Sequence, residues 1–363
     1  MIYFLPSIIA VFFSFFLSRT KGNSWYIFFL LAVLLPSIPY GFRSVTVGVD
    51  ALVYAEPIWD YAKNLQSFNF GSYWGKNIET GYLFINYILA NHVSQIQWLF
   101  FTLAIFACFT VLKAIWSSDF KSETWLGYAF YLLIFFPESA NAIRQGFASA
   151  FLIGASLAVF QKKWKTFFFY VLIASLFHNV ALLALSYPCI SYIFNKSNSK
   201  IRQYIWSIVL ISCVFGGQVI FSQLAVINDK YSIYLDGTFD PHFTIFSLVN
   251  LPFIILFFAY YKPLKKLFSY HPIEVYMLIA GLVLSQLSWI VSVYLARVAA
   301  PFNLFLIFAP MILLKWIKQK NKKFKSITAF ACIAYAIGYF WLVYYVCGID
   351  SLFPYQSEFI NFY

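Results

Sequence analysis

The chain has 363 residues, of which 62% are hydrophobic, 23% aromatic and only 10% charged. A spanning helix consumes about 20 apolar residues, so twelve would use roughly 240; this composition excludes a soluble globular protein and leaves no room for a sizeable soluble domain. The formal charge of +12 is a topology signal rather than the footprint of a nucleic-acid partner, because in a membrane protein what matters is which side holds the excess.

Residues 1–17 have no basic flank before them and carry Arg19 and Lys21 after them, the reverse of a cleaved signal peptide. They are expected to remain as a helix with its amino terminus outside. Further spans are predicted near 25–42, 96–116, 123–137, 140–160, 165–177, 179–194, 203–224, 243–261, 273–294, 299–315 and 326–346, twelve in all. Residues 80–91 are too short to cross and read as an interfacial or re-entrant half-helix on the outer side. The expected fold class is all-α: a polytopic integral membrane protein forming one transmembrane domain over 1–363, with outer loops near 43–80 and 226–242.

Basic residues test this alternation, since short cytoplasmic loops hold the Lys and Arg excess. In this arrangement 19 of the 25 fall inside, and only Arg43, Lys63, Lys76, Arg144, Lys230 and Arg297 fall outside. Ten of the 13 acids fall outside. Reading 80–91 as a full crossing would move most lysines outside. The same logic favours a helical pair meeting at Phe177-His178-Asn179 over one helix drawn through His178. Both termini are then outside. The five cysteines are scattered, with no CxxC or Cys/His cluster, so neither disulfides nor a structural metal is expected.

With the lysines sent inside, three outer arginines stand next to apolar runs: Arg43, Arg144 and Arg297. Each could simply snorkel to head groups. Arg144 stands out because it enters early in a helix after Pro137-Glu138-Ser139, where a cation opposes the macrodipole and an anion would reverse the sign. Gly146, Ala150, Gly154 and Ala158 on that helix form a small-residue stripe suited to close packing. His178 is either an interfacial histidine with a satisfied hydrogen bond or a general base or acid. Asp50, Glu56, Glu79, Glu138, Asp236 and Asp240 compete for that task, although Glu79 and Glu138 also read as ordinary helix caps. Trp59, Tyr73, Trp74, Tyr231 and Tyr234 are either interfacial aromatics or sugar-stacking faces. No GxxxxGK[ST], GxGxxG, Asp-x-Asp, HExxH or GxSxG motif occurs, so a donor used at the outer face is lipid-linked rather than a nucleotide.

Taken in order, Gly41-Phe-Arg43, Gly48-Val-Asp50 with Tyr54, Glu79-Thr-Gly-Tyr-Leu-Phe-Ile-Asn86, Ile143-Arg144-Gln145-Gly146, Ser175-Leu-Phe-His178 and Arg297 resemble the EpsG family of Wzy-type bacterial polysaccharide polymerases, over about residues 40–310. Family members often read Gly-Thr-Asp-Tyr where this chain has Gly48-Val49-Asp50-Ala51, with the aromatic displaced to Tyr54. The resemblance implies a GT-C-like membrane fold in the bacterial cytoplasmic membrane. It also implies polymerisation, on the outer face, of oligosaccharide repeat units carried on undecaprenyl diphosphate, with a lipid-linked donor and acceptor. Membrane lipids and a chain-length regulator are the further partners, and no cofactor or metal is needed.

In that reading Arg144 and Arg297, with Arg43, hold the departing diphosphate, because a guanidinium is always charged and bidentate. His178 deprotonates the acceptor hydroxyl, with Glu79 and Asp50 as competing candidates. The alternatives are another polytopic glycosyltransferase or ligase that uses a lipid-linked donor, and a flippase or transporter for the repeat unit. Charges sorted to the two faces rather than along a central path favour interfacial catalysis.

Overall fold

In a chain this apolar, each backbone polar group must be satisfied within its own segment, and the outcome is a succession of helices with no strand among the described residues. The computed structural model describes residues 2–20, 22–69, 78–190, 250–260, 263–264, 272–291 and 299–359. In chain order the helices are α1 (Phe4–Leu17), α2 (Trp25–Gly41), α3 (Glu56–Lys63, entered through a π-turn, Ala51–Ala55), α4 (Thr80–Ala90) and α5 (Gln97–Trp116). Next come α6 (Thr124–Phe130, continued by the π-turn Tyr131–Phe135), the short α7 (Glu138–Asn141), α8 (Ile143–Phe160) and α9 (Trp164–Ser175). The later helices are α10 (Leu251–Ala259), α11 (Pro272–Val291), α12 (Ala300–Asn303), α13 (Phe308–Lys320) and α14 (Lys325–Phe340, extended by Trp341–Val346).

Among the described residues, four stretches are long and apolar enough to cross a bilayer: Gln97–Trp116, Ile143–Phe160, Ala300–Lys320 and Lys322–Val346. Helices α1, α2, α4 and α9 are apolar but shorter. The predicted span 203–224, the loop 226–242 and Arg297 lie outside the described residues, as do Asp236, Asp240, Tyr73, Trp74, Tyr231 and Tyr234. The predicted outer loop 43–80 is not plain coil, because α3 and its π-turn form inside it.

The chain packs as two compact units, Met1–Leu182 with Pro310–Tyr363 and Leu183–Ala309. In the first, α2 lies against α1 and α5, α5 against α8, and α8 against α9, while α1 and α14 pack on α6. Buried serines do not break these helices: Ser7, Ser14, Ser37 and Ser156 each donate to a carbonyl three or four residues earlier, at 2.7–2.9 Å. Pro36 inside α2 cannot donate to the Ala32 carbonyl one turn back. The buried Tyr128 hydroxyl of α6 donates to that carbonyl at 2.9 Å, turning a helix defect into an interhelical tie. The small-residue stripe of α8 works as packing, since a Cβ at Gly154 would stand 2.8 Å from the Tyr170 ring of α9.

The start of α2 meets the end of α5 and the residue after α2 meets the start of α5, so these two helices run antiparallel and mark two distinct ends of this unit. At one end Trp25 meets Trp116 (4.9 Å between rings), Lys113 and Lys121 lie 5.1 and 4.8 Å from the Trp116 ring, and Lys318 approaches buried Glu123 at 3.9 Å. At the other, Tyr3 meets Tyr40 (4.5 Å), Tyr40 meets Phe136 (4.2 Å) and Phe42 meets Phe101 (4.8 Å). Lys113, Lys121 and Lys318 stand at the first end, and the loop after α2 that carries Arg43 stands at the second. In the other unit α11 packs on α10 and α12, the Asn250 amide N–H donates to Gln286 Oε1 at 3.0 Å, and the Tyr187 hydroxyl donates to the Pro301 carbonyl at 2.6 Å.

Candidate functional site

Three segments far apart in sequence meet at the second end of the first unit. Pro137 and the short α7 end in a kink at Ala142, where ψ is 64°, and α8 starts afresh with Arg144 as its second residue. Gly146 accepts the close approach of Ser139 that this kink demands. Helix α9 stops at Ser175. The chain turns through Phe177 and His178 into a 3₁₀ stretch, Asn179–Leu185, so the predicted break at His178 is present. The Phe147 and Phe177 rings pack at 4.4 Å and tie α8 to this turn. The third segment is the start of α4: the Gly81 N–H donates to the Leu176 carbonyl at 2.8 Å, and a Cβ at Gly81 would lie only 2.8 Å from that oxygen. Only glycine lets the two backbones come this close.

That contact delivers Glu79. Its backbone is extended ahead of α4, as a cap residue's should be, yet its side chain makes no capping bond to the helix. The carboxylate turns instead to two other motif residues. Arg144 Nη1 donates to Glu79 Oε2 at 2.5 Å, and His178 Nδ1 stands 3.4 Å from Oε1. The second separation is within ion-pair reach but not aligned as a hydrogen bond, and Nδ1 has no hydrogen-bond partner among the described residues. The carboxylate side chain is 5% exposed, whereas Arg144 and His178 keep 24% and 26%. Burial pushes the Glu79 carboxyl up, but the adjoining His178 ring and the Arg144 guanidinium outweigh it and hold the group at about 2, against an ordinary 4.5. The carboxylate thus faces Arg144 and His178 at once. The Tyr54 ring lies 5.8 Å from the Arg144 guanidinium carbon. The displaced aromatic, one turn beyond position 51, therefore still reaches the cluster.

Arg43 has other partners. Its side chain donates to the carbonyls of Tyr40, Val47 (3.4 Å) and Ala140 (2.8 Å) and lies over the Phe100 ring at 4.3 Å. It is 2% exposed, and burial lowers its pKa. Asp50 leads into the π-turn that carries Tyr54, and its N–H is held by Asn141 Oδ1 at 3.0 Å. Trp59 is buried and offers no face to a sugar. Of residues 43, 144, 178 and 297, expected to share one pocket, the structure joins Arg144 and His178 through Glu79. Sequence reasoning ranked Glu79 as a cap or a rival base and missed its bridging place; the helix-start position masked a side chain that faces away from the helix.

No curated protein and no solved structure matches the chain. Residues 26–357 match the EpsG family, a span that contains the three segments of the cluster and the Arg43 loop. With the match covering most of its length, the chain belongs to the EpsG family, the family of Wzy-type polysaccharide polymerases.

Proposed function

We propose that this protein joins oligosaccharide repeat units carried on undecaprenyl diphosphate, at the outer face of the bacterial cytoplasmic membrane, releasing undecaprenyl diphosphate. The twelve crossings, the GT-C-like architecture and the outward-facing termini belong to the same proposal. Its support for sidedness is that the lysine-bearing end and the motif-bearing end of the first unit are opposite ends of antiparallel helices. Tyr3 packs on Tyr40 and Tyr355, so both chain ends accompany the motif loops.

The observation that carries the reading is one carboxylate gripping a cation and an imidazole side by side. Glu79 draws the proton of His178 to Nδ1, which leaves Nε2 as the base for the acceptor hydroxyl. As that oxygen bonds to the anomeric carbon of the donor, the bond from that carbon to the phosphate oxygen breaks and the pair stays on the diphosphate. Arg144 spends Nη1 on Glu79 and keeps its remaining N–H donors for that leaving group. Arg297 is assigned as a second contact to the diphosphate. Arg43, bonded to three carbonyls, is assigned to holding the loop. The cationic side chains supply the charge neutralisation that a divalent ion supplies elsewhere.

The test is reconstitution of purified protein with a defined undecaprenyl-diphosphate repeat unit and no added nucleotide or metal. A ladder of polymer is expected from the wild type and not from His178→Asn. The reading fails if the units are only moved across the bilayer, or only transferred singly to another acceptor.

A further inference from the structure

After the last helix, residues 348–359 run back over the loop 42–50 and are tied to it repeatedly. The Ser44 N–H donates to the Gln356 carbonyl at 2.7 Å, the Thr46 hydroxyl to Gln356 Oε1 at 2.8 Å, and the Ser357 hydroxyl to the Phe42 carbonyl. The Gly48 N–H donates to the Ser351 carbonyl at 3.3 Å, and the Tyr355 hydroxyl to the Pro39 carbonyl at 3.2 Å. Gly48 is left-handed (φ +86°), and a Cβ there would fall 2.6 Å from the Ala140 carbonyl, so the loop is pressed between this segment and α7.

Asn141 stands at the junction. Its Oδ1 accepts from the Asp50 N–H at 3.0 Å and its Nδ2 donates to Asp350 Oδ1 at 2.9 Å. Chemistry fixes which way this amide faces, because a backbone N–H requires an acceptor and a carboxylate requires a donor. Asp350 and Ser351 hold φ of +66° and +50° after Gly348 at +63°, a conformation that residues with a Cβ adopt only when their surroundings enforce it. Here the enforcement includes the charge-assisted bond to Asn141.

We propose that Asn141 and Asp350 are positioning residues whose relay, Asp350 to Asn141 to the Asp50 backbone, sets the register between two parts of the site. One side of the relay ends at the π-turn that carries Tyr54. Its middle member, Asn141, closes α7 three residues before Arg144. A slip between them changes where the Tyr54 ring meets the guanidinium, although neither Asn141 nor Asp350 touches the cluster. The kinetic part of this inference rests on the polymerase reading; the structural part does not.

The experiment compares Asn141→Asp, Asp350→Ala and Asp350→Asn with the swapped pair carrying Asn141→Asp and Asp350→Asn together, all in the full chain purified in lipid nanodiscs. Asn141→Asp sets two carboxylates face to face, and Asp350→Ala removes the acceptor. Each is expected to lower polymer turnover per folded molecule about tenfold, with KM for the lipid-linked unit within about twofold of wild type. Amide exchange over residues 44–54 should quicken in both. In the swapped pair the amide at 350 donates to the carboxylate at 141, which still accepts from the Asp50 N–H, so turnover and exchange should return to near wild type. Asp350→Asn alone, whose oxygen still accepts from Asn141, should retain most turnover.

A swapped pair no better than Asn141→Asp overturns the relay. So does an Asp350→Ala variant that loses yield or thermal stability but keeps wild-type turnover and exchange. A wild type that makes no polymer sinks the polymerase reading instead, and the exchange comparison alone then decides the relay, with equal exchange in all variants refuting it.

Discussion

Arg43 and Arg144 carry the same guanidinium, stand at the same end of the first unit and belong to equally plain motifs, yet their surroundings give them opposite work. Arg43 is sealed, with its donors spent on the carbonyls of Tyr40, Val47 and Ala140. It closes the end of α2, where helix carbonyls lack partners, and staples that end to α7. Arg144 makes a single side-chain bond among the described residues, to Glu79, and stays a quarter exposed beside a histidine and a tyrosine ring. A buried arginine facing carbonyls holds a fold together. An arginine facing a carboxylate that is itself anchored can release part of its fork to an incoming anion.

The sharpest way to break this contrast is Arg144→Lys. It keeps the charge and loses the fork, so turnover should drop about 10²–10³-fold while the unfolding temperature of the purified protein barely moves. Normal chain length from that variant would remove Arg144 from the reaction. Arg43→Ala should do the reverse. It strips three buried carbonyls of their donors and costs on the order of 3 kcal/mol, read as lower extraction yield and a lower unfolding temperature, with turnover of the surviving folded fraction retained. A stable Arg43→Ala protein without activity would collapse the distinction.

Glu79→Gln sharpens the comparison by removing the anion that sets Arg144 apart. Turnover should fall about tenfold, because His178 loses its orienting partner and Arg144 its anchor. Acid adds a second reading of the same group. The folded-state pKa of about 2 lies below the ordinary 4.5, so the stabilisation from the carboxylate is complete above about pH 4.5 and drains away as pH falls towards 2. The gap in unfolding temperature between wild type and Glu79→Gln should therefore be constant from neutrality down to that point and narrow below it. The smallest effect is expected from Gly81→Ala, which forces a methyl against the Leu176 carbonyl and separates Glu79 from His178, costing roughly 1–3 kcal/mol of stability. Unfolding measured by circular dichroism checks it; no change would mean the α4–turn contact does not position the carboxylate.

Much of the helical layout was legible beforehand. The start of α5, the start of α14 and the interruption at His178 all follow from apolar runs and the residues that punctuate them. The site was legible in its parts: Arg144, His178, Glu79, Asp50 and Tyr54 were in hand as motif residues. Their pairing was not, because an ion-pair contact between residues 65 or 99 positions apart leaves no periodic trace in the chain. Asn141 and Asp350 escaped notice for the same reason. Neither belongs to a recognisable motif until the segment after α14 folds back onto α7.

The sequence by itself determined a helical membrane chain and its family, because those properties are sums over composition and local order. Only the tertiary structure decided which arginine is sealed and which is open, that Glu79 faces Arg144 and His178 rather than its own helix, and that residues 348–357 bind the Asp50 loop. These depend on where backbones approach each other, at Gly48, Gly81 and Gly146, and a chain of symbols carries the permission for such contacts but not their partners.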